Sequence, residues 1–244
     1  MATPKRLPVF EQFIQDARAA WAELPDLESR MKSAAQLLKR LVSDPTLRNH
    51  SRSWPSTEGH KNLLFYEDPD YHFVINGVVR TPGREGRIHD HAHAWTAYGV
   101  LDGVERLERY RRLDDGQKEG YAEVELESVT EGVPGTVDLV PPHAAHAEQG
   151  GPERSVAVIF RSDRLVGKTL QRRYDPVTKR FTQGQGPTHV PFDSPDRGER
   201  ASTSLDLFTE QRPRSEPLCL CVARRQVRSR AMGLYLEEAC KLTG

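Results

Sequence analysis

The chain has 244 residues, and its 35 Lys and Arg balance its 35 Asp and Glu, so no net field draws it to nucleic acid or acidic lipid. Its three cysteines, Cys219, Cys221 and Cys240, form neither a zinc spacing nor a disulfide framework, and no long apolar run or apolar leader occurs. A soluble, cytoplasmic protein acting on a small molecule is expected, with no nucleic-acid and no membrane partner. The length suffices to bury a core without covalent staples.

From about Pro8 to Val42, apolar residues recur at helical spacing: Phe10, Phe13, Ile14, Ala17 and Trp21, then Met31, Ala34, Leu37, Leu38 and Leu41. Pro25 separates two amphipathic helices, expected within an N-terminal segment, 1–60, that packs on the outside of a β-domain. From Leu63 to about Phe160 the pattern becomes strand-like, cut by turn signals such as Pro82-Gly83, Asp102-Gly103, Pro134-Gly135 and Gly150-Gly151-Pro152. Short strands at this spacing predict a sandwich or barrel, assigned to 61–192. The Ser-, Pro-, Arg- and Glu-rich stretch from Asp193 to Pro217 predicts a disordered linker over 193–225, followed by a C-terminal helix within 226–244.

Five of the nine histidines fall in two short segments, Arg87-Ile-His-Asp-His-Ala-His-Ala-Trp95 and Pro141-Pro-His-Ala-Ala-His146. Side chains at i and i+2 of a strand share a face, so His89 and His91 can bind one ion while Asp90 faces away. A third imidazole from the second segment completes a facial set. His143 and His146 are three apart and face opposite ways in a regular strand, so one of them points inward; the spacing from Pro141 favours His146, with His143 as the alternative. Continuation of the first strand places His93 on the face of His91, as an acid/base or supporting group. His50, His60, His72 and His189 are solitary and receive no role.

Together these residues carry a family likeness. Asn62-Leu-Leu-Phe-Tyr-Glu-Asp-Pro-Asp70, Pro82-Gly83, Ile88-His-Asp-His91 and Tyr98-Gly-Val-Leu-Asp-Gly103 resemble bacterial members of the cysteine dioxygenase family of thiol dioxygenases, within the cupin superfamily. The likeness covers roughly residues 60 to 175. It implies a mainly β fold, the cupin double-stranded β-helix or jelly-roll barrel, with Fe(II) held by three histidines and O2 and substrate bound at the iron. Zinc, manganese or nickel suit the same donor set. Lys61 stands about where amino-acid-using members carry an arginine that clamps the substrate carboxylate, although a lysine offers a point charge where arginine offers a fork.

The departures from the family bear on the substrate. Many cupins place a carboxylate four or five residues after the second histidine; Trp95 and Thr96 stand there instead, so an all-imidazole ligand set is expected. The family's Ser-x-His-x-Tyr series after the third histidine is replaced by Val156-Ala-Val-Ile-Phe160, and Thr96 offers no cysteine for a crosslink. A pocket walled by Val156, Val158, Phe160, Trp95 and Tyr98 is expected to be more apolar than one built for cysteine, with Tyr98 or His93 positioning substrate or passing a proton. The expected function is an Fe(II)-dependent dioxygenase of this type, adding O2 to a small organic substrate, a thiol among the candidates. The alternatives are a non-oxidative metal-dependent isomerase or hydrolase and a metabolite-binding cupin without catalysis. A homodimer is the expected assembly.

Overall fold

The computed structural model describes residues 6–192, so the expected linker and C-terminal helix lie outside the described residues. Three helices open the chain, α1 (Pro8–Glu23), α2 (Leu27–Val42) and α3 (Pro45–Ser51). Eleven strands follow: β1 (Lys61–Glu67), β2 (Val74–Arg80), β3 (Thr96–Asp102), β4 (Glu105–Arg112), β5 (Val124–Gly132), β6 (Val137–Val140), β7 (Ala145–Gly150), β8 (Ser155–Arg161), β9 (Gln171–Asp175), β10 (Arg180–Gly184) and β11 (Thr188–Pro191). No helix among them is long and apolar enough to cross a membrane.

Local chemistry explains the helices. Pro8 starts α1, where its missing N–H costs nothing. Asp26 caps α2 by accepting from the Ser29 backbone N–H at 2.8 Å, and Glu28 and Lys32 pair one turn apart on its surface. The seven-residue α3, absent from the sequence expectation, is set by Asp44 accepting from Leu47 N–H at 2.8 Å and by Pro45 at its first position.

The strands form two facing sheets. One runs β11-β1-β2-β8-β3-β6; the other runs β5-β4-β7 and is extended by the segment around His89, which bridges β7 on one side and β9 on the other. The chain passes from one sheet to the other between β3 and β4, back between β5 and β6, and again around β7. This is the double-stranded β-helix of cupins. At the β3–β4 corner Gly103 takes φ +74°, and a side chain there would collide with the Arg154 carbonyl and Ser155.

The main apolar core is not inside the barrel. Phe10, Phe13, Trp21, Met31, Leu38 and Leu41 of the helices pack on the outer face of the six-stranded sheet, against Phe65, Phe73, Ile75, Val79, Val158 and Phe160. Phe160 lies 4.9 Å from Phe73, 5.2 Å from Trp21 and 5.9 Å from Phe13, ring centre to ring centre. The barrel interior holds a smaller plug of Val78, Tyr98, Val100, Leu107, Ala157 and Ile159. A third cluster, with Ile88, Ala145, Ala147 and Tyr174, fastens the outer face of the second sheet to the β9–β10 hairpin.

On β2, a methyl group at Gly77 would overlap the ring of Phe65 from the neighbouring β1, itself packed against Trp54 and Phe10. We expect Gly77→Ala to destabilise the protein by about 1–3 kcal/mol through overpacking, read as a lower urea midpoint with unchanged slope.

Candidate metal centre

His89 reaches the site through main-chain pairing. It donates its N–H to the His146 carbonyl and accepts the His146 N–H, both at 2.9 Å, so the two residues sit side by side. On the other side Tyr174 N–H bonds the Ile88 carbonyl and Asp90 N–H bonds the Arg172 carbonyl. Asp90 points away from the histidines, accepts from the Tyr174 hydroxyl at 2.8 Å and from the N–H groups of Ala92 and Arg172, and thereby fixes the segment. His91 extends from the same stretch with the period-two spacing that the sequence predicts.

The three imidazoles converge. Ligand atoms of His89, His91 and His146 all lie within 4.8 Å of one another, and the ring centres are 4.4–4.9 Å apart. His89 Nδ1 lies 2.9 Å from the Arg87 carbonyl and His146 Nδ1 3.1 Å from the Ala144 carbonyl. A carbonyl only accepts, so both rings carry their proton on Nδ1 and present an Nε2 lone pair to the centre. His89 Nε2 and His91 Nε2 are then 3.2 Å apart, and His146 Nε2 is buried without a hydrogen-bond partner. His91 Nδ1 is buried without a partner, so without an ion this ring can carry its proton on Nε2 and donate to His89 Nε2; nitrogens bound at about 2.0–2.1 Å to one ion stand at a similar separation. The group can hold a metal ion. Burial, with the neighbouring rings and Arg161 adding to it, lowers His89 to about 4 and His91 well below the usual histidine value, so both are neutral ligands near pH 7.

The ligand group is all imidazole, as expected, but a carboxylate that the sequence reading did not anticipate stands beside it. Glu148 follows His146 by two residues on the inward face of β7, and its Oε1 lies 3.4 Å from His146 Nε2. Its other oxygen meets Arg80 at 3.4 Å. Burial alone would push this carboxyl up, but the positive charge around it, that of Arg80 included, more than reverses this and keeps it ionised. Arg80 in turn lies 5.7 Å over the ring of Tyr98, whose hydroxyl donates to Glu105 at 2.6 Å, and Ser155 donates to the other Glu105 oxygen at 2.6 Å. Burial raises Tyr98 well above its ordinary value, so it stays protonated and acts as a donor.

A cavity of about 450 Å³ opens on this centre. His89, His91, Tyr98 and Lys61 line it, as do residues that the sequence reading missed: Asn62, Val78, Arg80, Glu148, Ile159, Arg161, Gln171 and Arg173. His189 lies nearby on β11, buried, with neither ring nitrogen hydrogen-bonded.

Several expected site residues lie elsewhere. His93 does not continue the face of His91, because Ala92 takes φ +48° and the chain turns; its ring is more than half exposed and lies 3.3 Å from Asp163. His143 occupies a turn at φ +60°, exposed, its N–H held by the Ala92 carbonyl at 2.7 Å, so His146 is the histidine that joins His89 and His91. Val158 and Phe160 face the helices, as does Val156, and Trp95 packs against that same external core. The inward residues of β8 are Ser155, Ala157, Ile159 and Arg161. Val158, Phe160 and Trp95 therefore do not line the cavity, and on β8 Ile159 and Arg161 do.

No family model matches this chain, and no curated protein matches it. Among solved structures it is similar to an uncharacterised conserved protein with a double-stranded β-helix domain from Klebsiella pneumoniae, at 17% identity over 56% of this chain and 88% of that one, TM-score 0.34. It is similar to oxalate oxidase in complex with glycolate, at 17% identity over 46% of this chain and 56% of that one, TM-score 0.36. It is also similar to the Schizosaccharomyces pombe Cnp3 cupin domain, at 12% identity over 42% of this chain and 60% of that one, TM-score 0.33. The chain spans less than two thirds of the last two proteins. The double-stranded β-helix rests on strand order and register rather than on these scores.

Two outcomes follow from this geometry. Co(II) added to metal-free protein is expected to give visible ligand-field bands that His89→Ala, His91→Ala and His146→Ala each abolish, while His93→Ala and His143→Ala retain them; bands that survive His146→Ala would remove it from the ligand set. The second concerns His189, which burial, Arg161 and Arg164 lower to about 4. The unfolded chain takes up this proton below about pH 6.5 and the native one only near 4, so stability is complete above 6.5 and declines as pH falls between these values, by at most about 3 kcal/mol. Urea unfolding at pH 7.5 and pH 5 is expected to show a smaller loss for His189→Gln than for wild type.

Proposed function

We propose that this chain is an Fe(II)-dependent dioxygenase that adds both atoms of O2 to a small organic substrate, with thiols among the candidates. The observation that carries the reading is the convergence of three imidazoles at a cavity large enough for a small molecule. His89, His91 and His146 would hold the metal by Nε2. Three neutral ligands leave the charge of a divalent ion uncompensated and coordination positions free, which suits a chelating anion together with O2. Bound ferrous iron supplies the one-electron chemistry that lets O2 react with a closed-shell molecule.

The protein's own groups do the rest. The Nδ1 bonds of His89 and His146 to main-chain carbonyls orient both rings. Tyr98 is committed to Glu105 and acts as a fixed donor framework rather than a mobile acid. Val78 and Ile159 give the cavity wall an apolar patch against which a substrate can be oriented. His93, facing solvent, takes no part.

Glu148 favours a second reading. An ionised carboxylate beside the metal ligands, held by Arg80, is placed to exchange a proton with a substrate or a bound water, as a non-oxidative metal-dependent isomerase or hydrolase requires.

Oxygen uptake by anaerobically purified, Fe(II)-loaded protein, tested with cysteine, cysteamine, 3-mercaptopropionate and bulkier thiols, separates the two. Uptake that depends on substrate and iron, and falls to background in His89→Ala, is the expected outcome. Turnover under argon that Glu148→Gln abolishes would establish the non-oxidative reading instead.

A further inference from the structure

The three imidazoles of the metal centre are not held alike. His89 and His146 each donate Nδ1–H to a main-chain carbonyl two residues back, that of Arg87 and that of Ala144. His91 has no such anchor: its Nδ1 is buried and has no hydrogen-bond partner among the described residues. A ring that binds an ion through Nε2 carries its proton on Nδ1, and a buried N–H without an acceptor is costly.

Main-chain pairing identifies the side chain that stands beside this ring. His89 bridges Arg173 in antiparallel register, Asp90 N–H donates to the Arg172 carbonyl at 3.1 Å, and Arg172 N–H returns a bond to the Asp90 carboxylate at 3.1 Å. One step further along the same register, Gln171 opens β9 opposite His91. Both side chains line the cavity and so share a face, and directly opposed residues of an antiparallel pair have Cβ atoms about 4.5–5.5 Å apart. Gln171 is 3% exposed, and its Nε2 is buried without an acceptor. Gly186 backs the amide: a Cβ there would stand 2.7 Å from Oε1 and 3.3 Å from Nε2, so the missing side chain leaves the amide its room.

An amide suits either form of this imidazole. Turned one way it donates from Nε2 to a bare Nδ1, the form His91 takes when its own Nε2–H donates to His89. Turned over, it accepts through Oε1 from Nδ1–H, the form that leaves the His91 Nε2 lone pair for a metal. The two ends of the amide are nearly the same size, so the turn needs no repacking.

We propose that Gln171 is a positioning residue of the metal centre: it is the partner of His91 Nδ1, reached by rotation of its amide or through one bridging water, and it orients that ring for metal. The inference rests on the reading of the three histidines as a metal centre and not on the reaction carried out there.

Zn(II) dissociation constants, measured by competition with a chromophoric chelator, report the effect without any turnover. Gln171→Leu removes both polar ends of the side chain and is expected to weaken Zn(II) binding about 10–100-fold. Gln171→Glu retains an acceptor and is expected to recover most of that loss. Metal-free Gln171→Leu is expected to melt no lower than wild type, because the substitution deletes a buried amide that lacks a partner. A role in packing alone would do the reverse, with a lower melting temperature and unchanged Zn(II) affinity. Heteronuclear NMR of the wild type gives a second readout: Zn(II) is expected to move the His91 proton from Nε2 to Nδ1 and to shift the Gln171 side-chain amide resonances with it. Equal Zn(II) affinity in wild type and Gln171→Leu overturns the proposal, as does a Gln171 amide that does not respond to Zn(II). Should Gln171→Leu not fold, the wild-type spectra and Gln171→Glu decide. Zn(II) held as tightly by His89→Ala as by wild type would remove the centre itself, whereas failure of oxygen uptake with the Gln171 effects intact would remove only the oxidative reading.

Discussion

The pair of main-chain hydrogen bonds between His89 and His146 is the contact on which the site depends. Fifty-six residues lie between the two, yet the bonds set them in register at 2.9 Å in both directions. This single bridge does the work of a full strand pairing. It closes the second sheet, brings a loop-like segment between β7 and β9, and makes the approach of the rings a consequence of backbone geometry rather than of side-chain choice. Asp90, facing the other way, secures the segment through Tyr174, so the two faces of one tripeptide serve packing and chemistry separately.

The interior charges form one connected set. Ser155 and Tyr98 donate to Glu105, Arg80 covers Tyr98 and pairs with Glu148, and Glu148 borders His146. Isolated, each of these charges would be expensive to bury; satisfied in series, they become a rigid frame. Arg161 stands outside the set, and Glu148 is the acid whose field reaches it.

Much of this was legible in the sequence, for identifiable reasons. Period-two spacing placed His89 and His91 on one face because the chain there is extended. His93 escaped the same rule because Ala92 turns the backbone, and no residue type at that position announces a positive φ. His143 and His146 were narrowed to one by strand geometry, and the turn at His143 decides between them. The facing of β8 was not legible at all. Val156-Ala-Val-Ile-Phe160 is buried on both sides, by the helices outside and by the plug inside, so the alternation that reveals an inward face is erased. Arg161, just past the apolar run, carried the missing signal: a charge closing a buried strand must face something polar. Glu148 carried another, two residues beyond a candidate ligand on the same strand.

The placement of the hydrophobic core explains why the barrel can tolerate such an interior. A β-barrel of this size is usually filled by its own inward side chains. Here the largest apolar cluster lies outside, between α1–α3 and the outer face of the six-stranded sheet, where Phe10, Trp21, Leu38 and Leu41 meet Phe73 and Phe160. Burial on that face supplies stability in proportion to apolar area and does not require the inside to be apolar. The interior plug is correspondingly small, and the space beside it holds imidazoles, arginines and carboxylates. The N-terminal helices thus act on function without touching the site: by moving the core outward they free the inward positions of β2, β3, β7 and β8 for polar side chains that a self-filled barrel would exclude.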